Sequence, residues 1–215
     1  MTIEPRWPGA CVVVAASGPS LTSEVAEQCR GVPCLVVNDA YKLMPWAEVL
    51  YAADWKWWKH HNGCPDFAGE KWVPKSGSLN SSRDVQKQAA EYGLRLVNGD
   101  RSGGFSRNPS LIHYGLQGAC NSGFQAVGLA ILFGAARIIL VGFDMREVGG
   151  KKHFFGSHPK GLNPNQAFSG WIRGFADAVK TIPAGVSVVN ATPDSALKCF
   201  PMMSLTEALE CREAA

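Results

Sequence analysis

The stretch Asn121 to Met145, NSGFQAVGLAILFGAARIILVGFDM, decides how this chain folds. Asn121 and Ser122 are residue types that cap helices, because their side-chain oxygens accept from the first free N–H groups. Phe124, Val127, Ile131 and Leu132 recur near the 3.6-residue period of a helix. Gly134 supplies the left-handed residue on which helices commonly end. Arg137 to Val141, RIILV, is then a short apolar, β-branched run of the kind covered on both faces of a parallel sheet. It closes on Gly142-Phe143-Asp144, placing Asp144 at the carboxyl end of a strand, where open α/β sheets gather their ligands. Gly123 lets a ligand or another backbone approach the helix start, whose free N–H groups favour an anion. These residues taken alone fit a plain core helix and strand equally well, so the remainder of the chain has to decide.

The chain has 215 residues, which suits a single nucleotide-binding α/β domain over residues 1–215. Its hydrophobic content of 46% supports a full core, and a net charge of +3 is too small to argue for nucleic acid. No apolar run approaches the roughly 20 residues of a membrane span, so no transmembrane segment is expected. The opening residues MTIEPRWPGA show no signal-peptide pattern. The 7 cysteines include no CxxC pair, and Cys11, Cys34 and Cys120 sit in apolar runs. That usage points to reduced core thiols in the cytoplasm rather than a disulfide framework.

Outward from the central stretch, strands and helices alternate. Residues 10–16, ACVVVAA, form a strand followed by the turn Ser17-Gly18-Pro19-Ser20 and a polar helix-like run to Cys29. A strand, a Gly-bearing turn and a helix can set backbone N–H groups and a hydroxyl beside a phosphate. No Gly-Lys-Ser/Thr follows and GxGxxG is absent, which excludes a P-loop and argues against a standard dinucleotide site. Residues 33–37, PCLVV, form a second strand ending in Asn38-Asp39, and residues 48–53, EVLYAA, a third ending in Asp54. Three strands finishing in polar residues suggest one shared cleft, although Asn38 and Asp54 would also serve as plain helix caps. Trp55, Trp57 and Trp58 follow at once; core packing accounts for at least two of them, and a ring stacked on a base or sugar beside Asp54 is the sharper alternative.

The later segments are less regular. Lys71 to Val73 and Leu94 to Val97 read as strands, with a helix over Ser82 to Tyr92 between them. Residues 98–110 read as a long, mobile loop in which Arg101 and Arg107 are solvated or meet an acidic substrate. A second mobile loop, near 146–165, holds Lys151, Lys152, His153, His158 and Lys160 directly after Asp144. Such a cluster suits acid–base chemistry on an anionic substrate, and it has no Cys or carboxylate partners at metal-ligand spacing. Gln166 to Thr181 is an amphipathic helix, Val186 to Val189 a last strand, and Met203 to Glu210 a short terminal helix. The pattern is that of an α/β, Rossmann-like three-layer domain with a mostly parallel sheet.

Four blocks carry a resemblance: AASGPSLT (15–22), VVNDAY (36–41) with VLYAAD (49–54), the central stretch 121–145, and HFFGSHPKG (153–161) followed by helix, strand and NATPDSAL (190–197). Together they resemble the bacterial CMP-sialic acid-dependent sialyltransferases of glycosyltransferase family 42. They are also similar to related, often phage-borne proteins and to archaeal 6-hydroxymethylpterin diphosphokinase. The resemblance implies a metal-independent domain that needs no cofactor and takes a cytidine nucleotide sugar as substrate. Gly18-Pro19-Ser20 and Asn38 would lie along the nucleotide, Ser122 and Gly123 near the sugar or phosphate, and His158 would be the general base. The chain departs from the family where Ala52-Ala53-Asp54 replaces an Asn, in a much shorter lid, and in lacking the tyrosines that hold the leaving phosphate, for which Arg146, Lys151 or Lys152 would substitute.

The expected activity is thus sugar transfer from a nucleotide-activated donor to an acceptor hydroxyl, with His158 as catalytic base. The expected binding residues are Ser17, Gly18, Pro19, Ser20, Asn38, Asp39, Asp54, Asn121, Ser122, Gly123, Asp144 and Lys152. A Mg²⁺-dependent diphosphokinase-like phosphoryl transferase and a non-catalytic, phage-encoded nucleotide-binding module are the two rivals. The acceptor, whether glycan, nucleic acid or small molecule, is not legible in the sequence, which leaves a homo-oligomer open.

Overall fold

The computed structural model describes residues 2–75, 82–100, 104–106, 112–113, 121–159, 161–162 and 168–210. Its centre is a 7-stranded sheet. The strands are β1 (Cys11–Ala15), β2 (Cys34–Val37), β3 (Val49–Tyr51), β4 (Glu70–Pro74), β5 (Leu94–Val97), β8 (Arg137–Val141) and β9 (Ser187–Asn190). Their order is β5-β4-β3-β2-β1-β8-β9, and each pairing is parallel. Parallel strands need crossovers, which here carry the helices α1 (Ser23–Gln28), α2 (Trp55–His60), α3 (Ser82–Tyr92), α4 (Ser122–Leu132) and α5 (Phe168–Ala178), with a 3-10 turn over Asn38–Lys42 between β2 and β3; α6 (Leu205–Glu210) follows the last strand.

Helices on both faces bury the central strands β2 and β3 completely and β1 and β8 almost so, which is why these are continuous apolar runs, whereas the edge strands β5 and β9 keep Arg95 and Ser187 exposed. Alternate residues still divide the core in two. Val12, Val14, Leu35, Val37, Ile138 and Leu140 pack against α4 and α5. Val13, Ala15, Cys34, Val36, Ile139 and Val141 pack on the other face, with α1, α2, α3 and α6. The domain is therefore α/β, Rossmann-like and three-layered. All three tryptophans of α2 are buried, and Trp58 Nε1 donates to the Ala52 carbonyl at 2.9 Å.

Helix α4 forms as its sequence dictates. Asn121 accepts from the Phe124 N–H at 2.9 Å, and Gly134 takes the left-handed φ of +92° just beyond Phe133. One element is not foreseeable. Within the expected loop 98–110 lies a two-residue strand, β6 (Gly99–Asp100), which pairs in parallel with β7 (Ile112–His113). Two paired residues leave no periodic signature. Residues 101–103 and 107–110 of that segment, with Arg101 and Arg107, lie outside the described residues, as do Cys120 and Lys160. The cysteines that are described, Cys11, Cys29, Cys34, Cys64 and Cys199, form no disulfide. No helix among the described residues is long and apolar enough to cross a membrane.

The chain leaves β1 toward β2 on one side, whereas β8 and β9 lie on the other. The carboxyl ends of β1 and β8 thus flank the point where the strand order reverses, the usual site of a ligand crevice in such sheets.

Candidate functional site

Two turns meet at that reversal. Gly18 N–H donates to the Gly142 carbonyl at 2.9 Å. A side chain at Gly18 would put its Cβ 2.0 Å from Asp144 Oδ2, so only glycine fits there. Ser20 donates to Asp144 from its N–H at 3.2 Å and from its hydroxyl at 2.8 Å. Asp144 is 2% exposed. Burial pushes its carboxyl above the usual carboxylate range, while the Ser20 hydrogen bonds act in the opposite direction. Asp144 and Ser20, which read in the sequence as separate ligand contacts, therefore satisfy one another across 124 residues of chain.

The segment after β9 braces this junction. Thr192 Oγ1 accepts from the Phe143 N–H at 2.9 Å, the Ser195 hydroxyl donates to the Phe143 carbonyl at 2.5 Å, and Ala196 N–H donates to the Asp144 carbonyl at 2.9 Å. This gives the NATPDSAL block a structural task the sequence does not disclose. Ser195 is fully buried and also accepts from Leu197 N–H. Ser195→Ala should therefore leave two buried backbone groups unpaired and cost about 1–3 kcal/mol, read as a drop in the denaturant midpoint with unchanged slope. An unchanged midpoint would mean the brace is dispensable.

Over the junction opens a cavity of about 450 Å³. Ser17, Gly18, Asn38, Asp54, Asn121, Ser122, Gly123, Asp144, Lys152 and His158 line it. Pro19, Ser20 and Asp39 do not. Asn38 takes a left-handed φ of +50° as the first residue of the 3-10 turn, whose cap is Val37, so the plain cap reading does not hold for it. Its Oδ1 is buried with no partner. An unpaired buried oxygen and a strained backbone at one residue are features that cluster at binding sites. The same turn sends Asp39 the other way, into an aromatic wall, where it is 4% exposed. Its carboxylate accepts from Lys42 at 2.6 Å and Trp57 Nε1 at 2.9 Å. Asp54 caps α2 through the Lys56 N–H at 2.9 Å while also facing the cavity.

The start of α4 points into the same space. The Ser122 hydroxyl accepts from the Ala53 N–H at 3.1 Å, which ties α4 to the end of β3. The Phe124 N–H is taken by Asn121, while the Ser122 and Gly123 N–H groups have no partner among the described residues and border the cavity. A Cβ on Gly123 would sit 2.9 Å from the Phe143 ring, so the glycine is needed for packing as well as access. Trp57, Phe143, Phe168 and Trp171 give the cavity an aromatic lining.

Both imidazoles of the basic loop also face the cavity. His153 stacks flat on Phe155, and its ring lies 4.4 Å from that of His158. Burial, then His158, pushes His153 down to about 4, against an opposing hydrogen bond to the Ser17 backbone. Burial likewise lowers His158. After burial, Asp39 acts on His158 to raise it and Lys42 to lower it, because Asn38–Lys42 runs beside the loop. Phe154 N–H donates to the Ser17 carbonyl at 3.1 Å and fastens the loop over the turn after β1. Of the three basic residues proposed to replace the phosphate-holding tyrosines, Lys152 alone lines the cavity; Arg146 approaches Asp194 at 3.9 Å and Lys151 is exposed.

The fold has a solved counterpart. The MAf glycosyltransferase from Magnetospirillum magneticum AMB-1 matches it with a TM-score of 0.59 at 11% sequence identity, over 100% of this chain and 38% of that one. The chain therefore spans well under half the length of that protein. No protein-family model matches the sequence, and no curated protein matches it. Among the described residues, no group of three or more His, Cys, Asp or Glu side chains could hold a metal ion.

Several lining residues escaped the sequence reading, among them Phe168 and Trp171 of α5 and one polar residue. Gln125, in the first turn of α4, is buried and faces the cavity, and its Oε1 accepts from the Tyr51 hydroxyl. A single polar residue within an apolar helix gives no signal until the strand opposite is known.

Proposed function

We propose that this chain is a glycosyltransferase-like enzyme that moves a sugar from a nucleotide-activated donor, most simply a cytidine nucleotide sugar, to an acceptor hydroxyl without a metal. The observation that carries the proposal is the composition of one cavity. It joins the N–H groups at the start of α4, an aromatic lining and an imidazole that burial shifts toward its neutral form. The Ser122 and Gly123 N–H groups and Lys152 would meet the phosphate, since a helix start favours an anion. Asn38 and the Gly18 turn would lie along the nucleotide, and Trp57, Phe168 or Trp171 would stack on its base. The fold shared with a protein named as a glycosyltransferase is compatible with this reading.

In the reaction, the acceptor oxygen attacks the anomeric carbon while the bond from that carbon to the phosphate oxygen breaks. His158 takes the hydroxyl proton, and the nucleotide leaves with the bonding electron pair. Charge gathering on the leaving phosphate faces fixed donors, which need no reorganisation as the bond breaks.

A thermal-shift screen against nucleotides and sugar nucleotides tests the proposal. A ligand at 100 times its Kd should add about 2.7 kcal/mol of stability. Calorimetry with CMP should then return one affinity in EDTA and in Mg²⁺. A strict Mg²⁺ requirement would instead favour phosphoryl transfer. Binding without turnover of any donor would favour a non-catalytic module.

A further inference from the structure

Ser17, Gln125 and Asp144 are buried polar residues lining the cavity that the chemistry above leaves unused; Ser17 and Asp144 are bonded within the turns, to the Val37 carbonyl and to Ser20. Gln125 is 7% exposed, on a helix whose neighbours Phe124, Ala126, Val127 and Leu129 are apolar and buried. A methionine there would fill a similar volume without taking an amide out of water. The Tyr51 hydroxyl, reaching from β3, donates to Gln125 Oε1. Gln125 lines the cavity and its Nε2 has no partner among the described residues, which leaves its N–H donors available to a ligand there. Turning the amide over would present its oxygen to the cavity and make the Tyr51 hydroxyl the acceptor instead of the donor.

We infer that Gln125 sets ligand specificity: held by Tyr51, its amide N–H groups donate to an oxygen acceptor of the sugar nucleotide, a hydroxyl, carbonyl or carboxylate. The inference rests on the sugar-nucleotide reading of the cavity and adds to it what the wall selects. A site built to hydrogen-bond a ligand rejects analogues that cannot complete the bond, because its own buried group is left unpaired. Gln125 stands in the turn that also presents the Ser122 and Gly123 N–H groups. This end of the cavity is thus rich in donors, and it favours a ligand whose oxygens face α4.

The test compares Gln125→Met and Gln125→Glu with the unaltered chain by calorimetry, using CMP and CMP-N-acetylneuraminate. Gln125→Met keeps the volume and removes the donors. Gln125→Glu keeps an acceptor for Tyr51 and turns the cavity-facing donor into an acceptor, so it probes the same bond even if the methionine variant folds poorly. Each variant should lose about tenfold or more in affinity, with the glutamate losing more. A loss confined to CMP-N-acetylneuraminate assigns the acceptor to the sugar, and an equal loss with CMP assigns it to the nucleotide. Affinities within threefold of the unaltered chain for both variants would overturn the inference and leave the sugar-nucleotide reading intact. If the unaltered chain binds neither compound, that reading falls and the inference with it.

Discussion

His158→Ala should lower turnover about 10²- to 10⁴-fold, measured as release of nucleotide from a sugar donor in the presence of acceptor, and leave donor affinity within a few-fold. The size follows from removing a general base and nothing else. His158 sits between Gly156, at a φ of +91°, and Pro159, and its ring meets those of His153 and Phe155 edge-on. Burial holds it below its ordinary value of about 6.5, so at neutral pH it is chiefly the free base. The sign of the pH dependence is then fixed. Turnover should fall as pH drops through a value below 6.5, where the imidazole gains a proton and cannot accept another. His153→Ala should act mainly on stability, because that ring bonds the Ser17 backbone and stacks on Phe155. Full activity in His158→Ala would return the basic loop to the part of a phosphate clamp.

Gly142→Ala should destabilise the chain by about 3 kcal/mol or more, a drop in melting temperature of roughly 6–12 °C for a domain of this size. Two costs combine. Gly142 has a φ of +71°, which costs an L-residue about 1–2 kcal/mol. Its new Cβ would also lie 2.3 Å from the Ala16 carbonyl oxygen, and that oxygen belongs to the backbone of the neighbouring turn. Gly185 separates the two. Its φ is +77° with nothing within 4 Å of a Cβ, so Gly185→Ala should show the conformational cost alone. Equal losses in the two variants would mean that the turns after β1 and β8 can part without penalty.

These predictions divide along what the sequence discloses. Helix α4 and strand β8 were legible because a 3.6-residue period, a cap, a glycine and a β-branched run agree over Asn121 to Met145. The strand ends were legible because each apolar run stops at a polar residue. How those residues face was not. Asn38 and Asp39 are neighbours in sequence, and the left-handed backbone at Asn38 sends one into the cavity and the other to Lys42 and Trp57. The Ser20–Asp144 and Tyr51–Gln125 pairs join residues 124 and 74 positions apart. Each member alone looks like an ordinary polar residue, and only strand order brings the partners together.

The place of β1 in the sheet has a consequence for how the protein is made. Its partners are β2 on one side and β8 on the other, so Val13 lies opposite both Cys34 and Ile139. Between the end of β2 and the start of β8 the ribosome must add about 100 residues, roughly 5–20 s of synthesis at about 5–20 residues per second. Throughout that interval CVVVA carries an open row of backbone donors and acceptors, a template for pairing with another chain. Such long-range pairing is slow to form. The cavity is therefore completed late in assembly, because the Gly18 and Gly142 turns meet only once β8 pairs with β1.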